Sequence, residues 1–299
     1  MQGFLNLNKA TAMTSHDCVG AVRRLLGTKK VGHGGTLDPL AQGVLPIAVG
    51  RATRLLPYLA PSKAYAAVIR FGLTTTTDDL EGEALTNQPA PHLTLDDLTP
   101  LLPRFVGAIE QIPPAYSAIQ VAGQRLYDLA RQGKAVQPPT RNVAVHGLEV
   151  TGWQPGPYPE LTLAIACGPG TYIRSIARDL GQAAGTGATL VNLIRTRSGG
   201  FGLEHSLTLE VVEAQVGSQS LRLAPPESAL GHLPSLTLDT DTALRWRQGQ
   251  NIPPPGFLPP TIPHRVLSTD SATFLGIGQL EERDGLPILK AKMVFQPLG

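Results

Sequence analysis

Asp38 is the one acid in the stretch VGHGGTLDPLAQGVLPIAVGRATR (31–54), and that isolation is the first chemical signal in the chain. Residues 18–77 carry eight lysines and arginines against this one carboxylate. A stretch so biased toward positive charge suits a polyanion, and a lone carboxylate within it suits chemistry on that polyanion. Gly32, Gly34 and Gly35 let the backbone approach a ligand, while Pro39 stiffens the chain just past the acid. An aspartate before proline is also a common turn former, and at this level both readings stand. The loop has neither GKS/T nor GxGxxG, so a P-loop or a dinucleotide fingerprint is excluded.

Two more basic segments accompany the first. Residues 121–147 hold Arg125, Arg131, Lys134 and Arg141 against Asp128, and residues 161–203 hold Arg174, Arg178, Arg195 and Arg197 against Asp179. The compensating acids gather in residues 78–110, so the net charge of +2 hides an uneven distribution. Asp78, Asp79, Glu81 and Glu83 do not keep the spacing of a calcium loop. Cys18 and Cys167 are too few for a disulfide framework and lack the company of a zinc site, so both read as buried small hydrophobes. A glycosidase would call for two facing carboxylates, and Asp38 has no acidic neighbour in sequence. No apolar run approaches the roughly 18 residues of a membrane span, and the first residues lack a signal peptide's pattern, so the expected location is cytoplasmic.

The elements that must position these residues are legible in outline. FLNLNK predicts an opening strand, and Thr14 or Ser15 caps a helix carrying Val19, Val22, Leu25 and Leu26, closed by Gly27. Residues 64–71 alternate as a strand with Tyr65, Ala67, Ile69 and Phe71 on one face. TLDDLTPLLPRFVG opens with a capping-box pattern, and AGQRLYDLARQG predicts a short amphipathic helix. RNVAVHGLEV and LTLAIAC predict paired strands, TYIRSIARDLGQAAG a helix, ATLVNLIRTRSGGF a strand and SLTLEVVEAQV a helix. From about residue 235 short β-like runs and a proline-rich loop take over, which predicts a small all-β module after a larger α+β unit.

These segments also carry a resemblance. GHGGTLDPLAQGVLPIAVGRATR (32–54) is similar to the signature loop of the TruB-type tRNA pseudouridine-55 synthase family, and other motifs follow in the family's order. KAY (63–65) resembles its tyrosine motif, PPAYSAIQVAGQRLYDLARQG (113–133) its RNA-binding thumb, GTYIRSIARDLG (170–181) its arginine motif and LIRTRSGGF (193–201) a later core strand. The tail, LGIGQL with ILKAKMVF, resembles a PUA RNA-binding domain. The resemblance implies an α+β fold: a catalytic domain over 1–234 with a mixed, mainly antiparallel sheet flanked by helices, a thumb-like segment over 113–147, and a PUA-like domain over 235–299.

It also implies a reaction, the isomerisation of uridine to pseudouridine at position 55 in the T-arm loop of tRNA. That reaction detaches uracil from C1′ and rejoins it through C5, with no redox change and no group transferred, so no cofactor or metal is expected. An ionised carboxylate must either attack the nucleotide or act on the sugar at its anomeric carbon, and both paths stand. The resemblance makes Asp38 the catalytic residue, Arg174 its partner through a bidentate fork, and Tyr65 a ring that stacks on uracil and assists loss of the C5 proton. It implies that His33 braces the RNA loop once the target base has flipped, that Tyr172 and Leu193 wall the pocket, and that Lys9 and Asp79 support substrate binding. The implied partner is the T stem-loop of tRNA, handled by a single chain with no obligatory protein partner and no membrane.

Overall fold

The computed structural model describes residues 1–117, 120–121, 124–125, 138–254, 256, 259, 262–270, 272–283 and 285–296. Most of the predicted helix in AGQRLYDLARQG lies outside the described residues, as do Arg131, Lys134 and most of the thumb-like segment, but its described pair Gln124–Arg125 is a short strand rather than helix, its backbone paired antiparallel with Gln120–Val121.

A mixed sheet of nine strands organises the larger part of the chain. Its main path runs Gly3–Lys9, Gln42–Val49, Ala188–Ser198, Lys63–Phe71, Glu160–Cys167, Arg141–Gln154 and Gly107–Gln111. The short strands Val31–His33 and Phe201–Gly202 pair with the second and third of these. Every pairing is antiparallel except one, where Ile194 and Arg195 run parallel to Gln42 and Gly43. The sheet's sequence origin is plain in Lys63–Phe71, where Tyr65, Ala67, Ile69 and Phe71 are buried and alternate with half-exposed residues.

Helices cover the sheet where their caps allow. Thr14 starts the helix Ser15–Leu25 in a reciprocal capping box with Asp17, and Cys18, Val19 and Val22 turn inward. The helix Ile173–Ala183 packs against Ala188–Ser198 and buries Ile173, Ile176, Ala177 and Leu180. In TLDDLTPLLPRF the capping box at Thr94 yields only one α-turn, Leu95–Leu98, because Pro100 and Pro103 withhold amide donors and the chain continues as a 3₁₀ helix. Both cysteines are free and buried. Among the described residues no helix is long and apolar enough to cross a membrane.

The last part of the chain forms a four-stranded sheet, Ser235–Leu238, His264–Ser268, Phe274–Arg283 and Leu286–Val294. One helix, Thr240–Arg247, joins it, capped by Asp239 and anchored by the fully buried Trp246. That helix departs from the all-β expectation for this tail: its eight residues, TDTALRWR, make little more than two turns and carry too few apolar positions to show a period. This sheet does not hang free. Phe274, Ile277, Met293 and Phe295 share one apolar cluster with Phe4 and Ala48 of the larger sheet and with Ala52 and Leu55 of the 3₁₀ helix Gly50–Tyr58, and Arg51 donates to the Phe295 carbonyl at 3.0 Å.

Candidate active site

The loop carrying Asp38 is held from three sides, all through main-chain atoms. Ser15, at the start of its helix, accepts from the Leu37 amide at 2.8 Å and donates to the Leu37 carbonyl at 3.1 Å. Lys9, 1% exposed, gives its ammonium to the carbonyls of Ala10 (2.8 Å), Met13 (2.7 Å) and Pro39 (3.3 Å). Arg195, fully buried, donates to Gly35 and Thr36 at 3.0 Å each and to Val44 at 2.8 Å. The aspartate side chain itself stays 40% exposed, which leaves it open to a substrate.

Arg174 comes up beneath it from the first turn of the helix Ile173–Ala183. Its Nη2 lies 2.8 Å from Asp38 Oδ2 and donates to the Tyr116 carbonyl at 3.1 Å. Its Nη1 donates to the Thr77 carbonyl at 3.0 Å and sits 3.4 Å from Asp79 Oδ2. The fork is therefore divided between two carboxylates rather than spent on Asp38 alone. Asp79, 1% exposed, cannot be left without a cation, and its other oxygen accepts from the Glu81 amide and the Thr77 hydroxyl. One helical turn on, Arg178 repeats the pattern with Asp78 at 2.9 Å, Asp179 at 2.8 Å and the Ile112 carbonyl at 2.8 Å. Asp78 and Asp79 of the acidic loop thus form a counter-surface for these two arginines.

Tyr65 lies two strands from the Asp38 loop, 7% exposed, opposite Arg195 in the neighbouring strand. Burial pushes its phenol up from the ordinary tyrosine value, while the Arg195 guanidinium facing the hydroxyl works the other way. Leu193, 6% exposed, stands opposite Ala67 on the same strand as Arg195. Tyr172 forms the N-cap of the arginine helix, and Gln111 holds its backbone through two hydrogen bonds of 3.0 and 3.2 Å. His33 ends the short strand before the glycines, half-buried, with no partner for Nδ1. Burial, then Arg195, keeps its imidazole neutral at lower pH than usual.

The structure thus gathers Asp38, Arg174 and Asp79 in direct contact, with Tyr65 joined to the Asp38 loop through Arg195. Lys9 is placed differently from a substrate ligand on the surface: it is sealed under the loop, and burial lowers its pKa while Asp38 and Glu81 oppose that shift. Sequence reasoning missed Arg195, which it counted only as one cation in a basic segment. The signal was available, since Arg195 lies two residues from Leu193 and a strand places both on one face.

Solved structures share this architecture. A chain of a Cbf5–Nop10–Gar1 complex matches with a TM-score of 0.74 and 26% identity, covering 99% of this chain and 85% of that one. A chain of an H/ACA RNP bound to a substrate RNA containing 2′-deoxyuridine has the same fold, with a TM-score of 0.75 at 24% identity. A fold of this kind, with one reachable aspartate braced by a buried arginine, is that of a pseudouridylate synthase. The model for the TruB family pseudouridylate synthase N-terminal domain matches residues 23–173, and two TruB C-terminal models match 174–244 and 234–287. Similar relatives include proteins called tRNA pseudouridine synthase B from Nostoc sp. (53% identical, all of both chains) and Acaryochloris marina (55% identical, 99% of both). The chain belongs to the TruB family.

Proposed function

We propose that this chain isomerises uridine to pseudouridine at position 55 in the T-arm loop of tRNA, acting alone in the cytoplasm. The observation that carries the reading is the divided arginine: Arg174 sets its guanidinium 2.8 Å from a reachable Asp38 while a second, inaccessible carboxylate, Asp79, lies 3.4 Å from its other arm. A carboxylate enclosed with a base tends to take up a proton, and an adjacent cation prevents that. The target uridine leaves its stack at a cost of a few kcal/mol, and the His33 ring braces the RNA loop it vacates.

Asp38 then acts at the nucleotide or at its anomeric carbon, the C1′–N1 bond breaks, the uracil turns, and C5 joins C1′. Leu193 and Tyr172 confine the detached base, and Tyr65 stacks on it and receives the C5 proton. Lys9 serves substrate binding at one remove, by fixing the main chain around Pro39. Residues 1–234 form the catalytic domain, 113–147 include the RNA-binding thumb, and the sheet after residue 235 is a PUA-like RNA-binding unit. Incubating the purified chain with unmodified tRNA and mapping pseudouridine by carbodiimide-dependent primer extension tests this. A new carbodiimide-dependent stop one nucleotide 3′ of position 55 is expected, and its absence with folded protein overturns the reading.

A further inference from the structure

Arg195 presents a physical anomaly. It is among the largest fully buried side chains, yet among the described residues no carboxylate lies within ion-pair distance of it. Three carbonyls satisfy part of its donor set, but dipoles offset a buried charge less well than an anion does. The backbone is built to hold it there. Gly43, at φ +103°, passes so close that a Cβ would lie 2.4 Å from the Arg195 carbonyl oxygen, in the sheet's one parallel pairing.

We infer that Arg195 is a positioning residue for the isomerisation: its guanidinium locks the Gly35–Thr36 turn ahead of Asp38 and, with its remaining protons, faces the Tyr65 hydroxyl so that this oxygen can accept the C5 proton. This rests on the function proposed above and deepens it. After C5 has bonded to C1′, the C5–H bond breaks, its electrons restore the C5=C6 double bond, and the proton moves to the Tyr65 phenolate. N1, which kept the electron pair of the broken C1′–N1 bond, takes up a proton from solvent, and the phenol returns its own to solvent.

The groups around this charge are His33 from the short strand, Lys9 from the first strand, Lys63 and Tyr65 from the central strand, Cys167 from its neighbour, and Asp38 from the loop. The cation disfavours protonation of His33, Lys63 and Lys9, and favours the ionised form of Tyr65. Burial is the leading influence on each of these groups, and the one buried charge of Arg195 acts on all four. Burial raises the Tyr65 pKa and Arg195 opposes the rise, so weakening Arg195 must move the phenol further up.

The test uses the full chain in single turnover on a T stem-loop whose target uridine carries hydrogen or deuterium at C5. Arg195→Lys keeps a charge, but lysine has three protons and three carbonyls already claim them, so the Tyr65 hydroxyl loses its donor. The expected result is hairpin affinity near wild type, a rate lower by about a hundredfold, a primary isotope effect where wild type shows little, and a rising pH–rate limb moved to higher pH. A wild-type rate, or a slowed rate with no isotope effect and an unmoved limb, overturns the role. If the lysine variant fails to melt cooperatively, Arg195→Gln, which keeps amide donors without charge, must show the isotope effect and a limb moved upward, and an unmoved limb there is equally fatal. An inactive wild-type chain would sink the proposed function itself, whereas an active one with insensitive Arg195 variants sinks only this inference.

Discussion

The two sheets of this protein treat buried charge in opposite ways. Inside the larger sheet, Lys9, Asp79, Arg174 and Arg195 are all sealed among apolar residues. Inside the smaller one, the buried polar residue among the described residues is a single histidine, His264, while the core of Leu236, Leu238, Ala243, Trp246, Ile252, Val266, Leu275 and Leu289 is apolar, and its one indole N–H reaches the Leu275 carbonyl at 3.3 Å. Buried ion pairs are a poor source of stability compared with packed hydrophobic residues, so charge is retained in a core chiefly where a function needs it. The contrast separates a chemical interior from a supporting one.

The comparison is tested most severely by Asp38→Asn, which removes a charge and little volume. Pseudouridine formation should fall below detection while hairpin affinity and melting temperature stay near wild type, and turnover above background would break the assignment. Arg174→Met comes next, because it leaves Asp79 buried without its cation. It should abolish most activity and destabilise the fold by about 3–5 kcal/mol in chemical denaturation. A stable Met variant would mean that Asp79 is satisfied without the arginine.

On the other side of the comparison, Trp246→Ala should cost a similar ~3–5 kcal/mol through loss of packing, yet leave turnover on the isolated hairpin unchanged below its melting point. Lost turnover in a folded Trp246 variant would show that the smaller sheet takes part in chemistry. Smallest of all is Lys292→Ala. Glu281 is held at lower pKa by Lys292 and Lys290, but this is an exposed cluster, so neither melting temperature nor turnover should move measurably.

Much of the larger sheet was legible because its strands alternate cleanly and its helices announce themselves by caps, as at Thr14 and Thr94. Asp38 stands out by charge isolation, and the motif order singles out Arg174, which the structure sets 2.8 Å from Asp38, and Tyr65, which it sets opposite Arg195. What could not be read was how the guanidiniums divide. Arg174 serving both Asp38 and Asp79, and Arg178 reaching Asp78, depend on which of several loops lies within a few ångströms, and loop placement has no periodic signature. Lys9 was misleading for a related reason. A lysine in sequence suggests a surface cation, and only the fold of Ala10, Met13 and Pro39 around it turns it into an internal clamp.

The apolar cluster that joins the sheets has a consequence for how the chain is made. Phe295 is synthesised 291 residues after Phe4, yet both belong to the same cluster. At a synthesis rate of about 5–20 residues per second, the opening strand waits roughly 15 to 60 seconds for its final covering. During that interval the apolar surface of Phe4, Ala48 and Leu55 lacks this covering, so nascent chains halted near residue 234 should be held by chaperones or degraded, and full protease resistance should appear only once Phe295 has emerged from the ribosome.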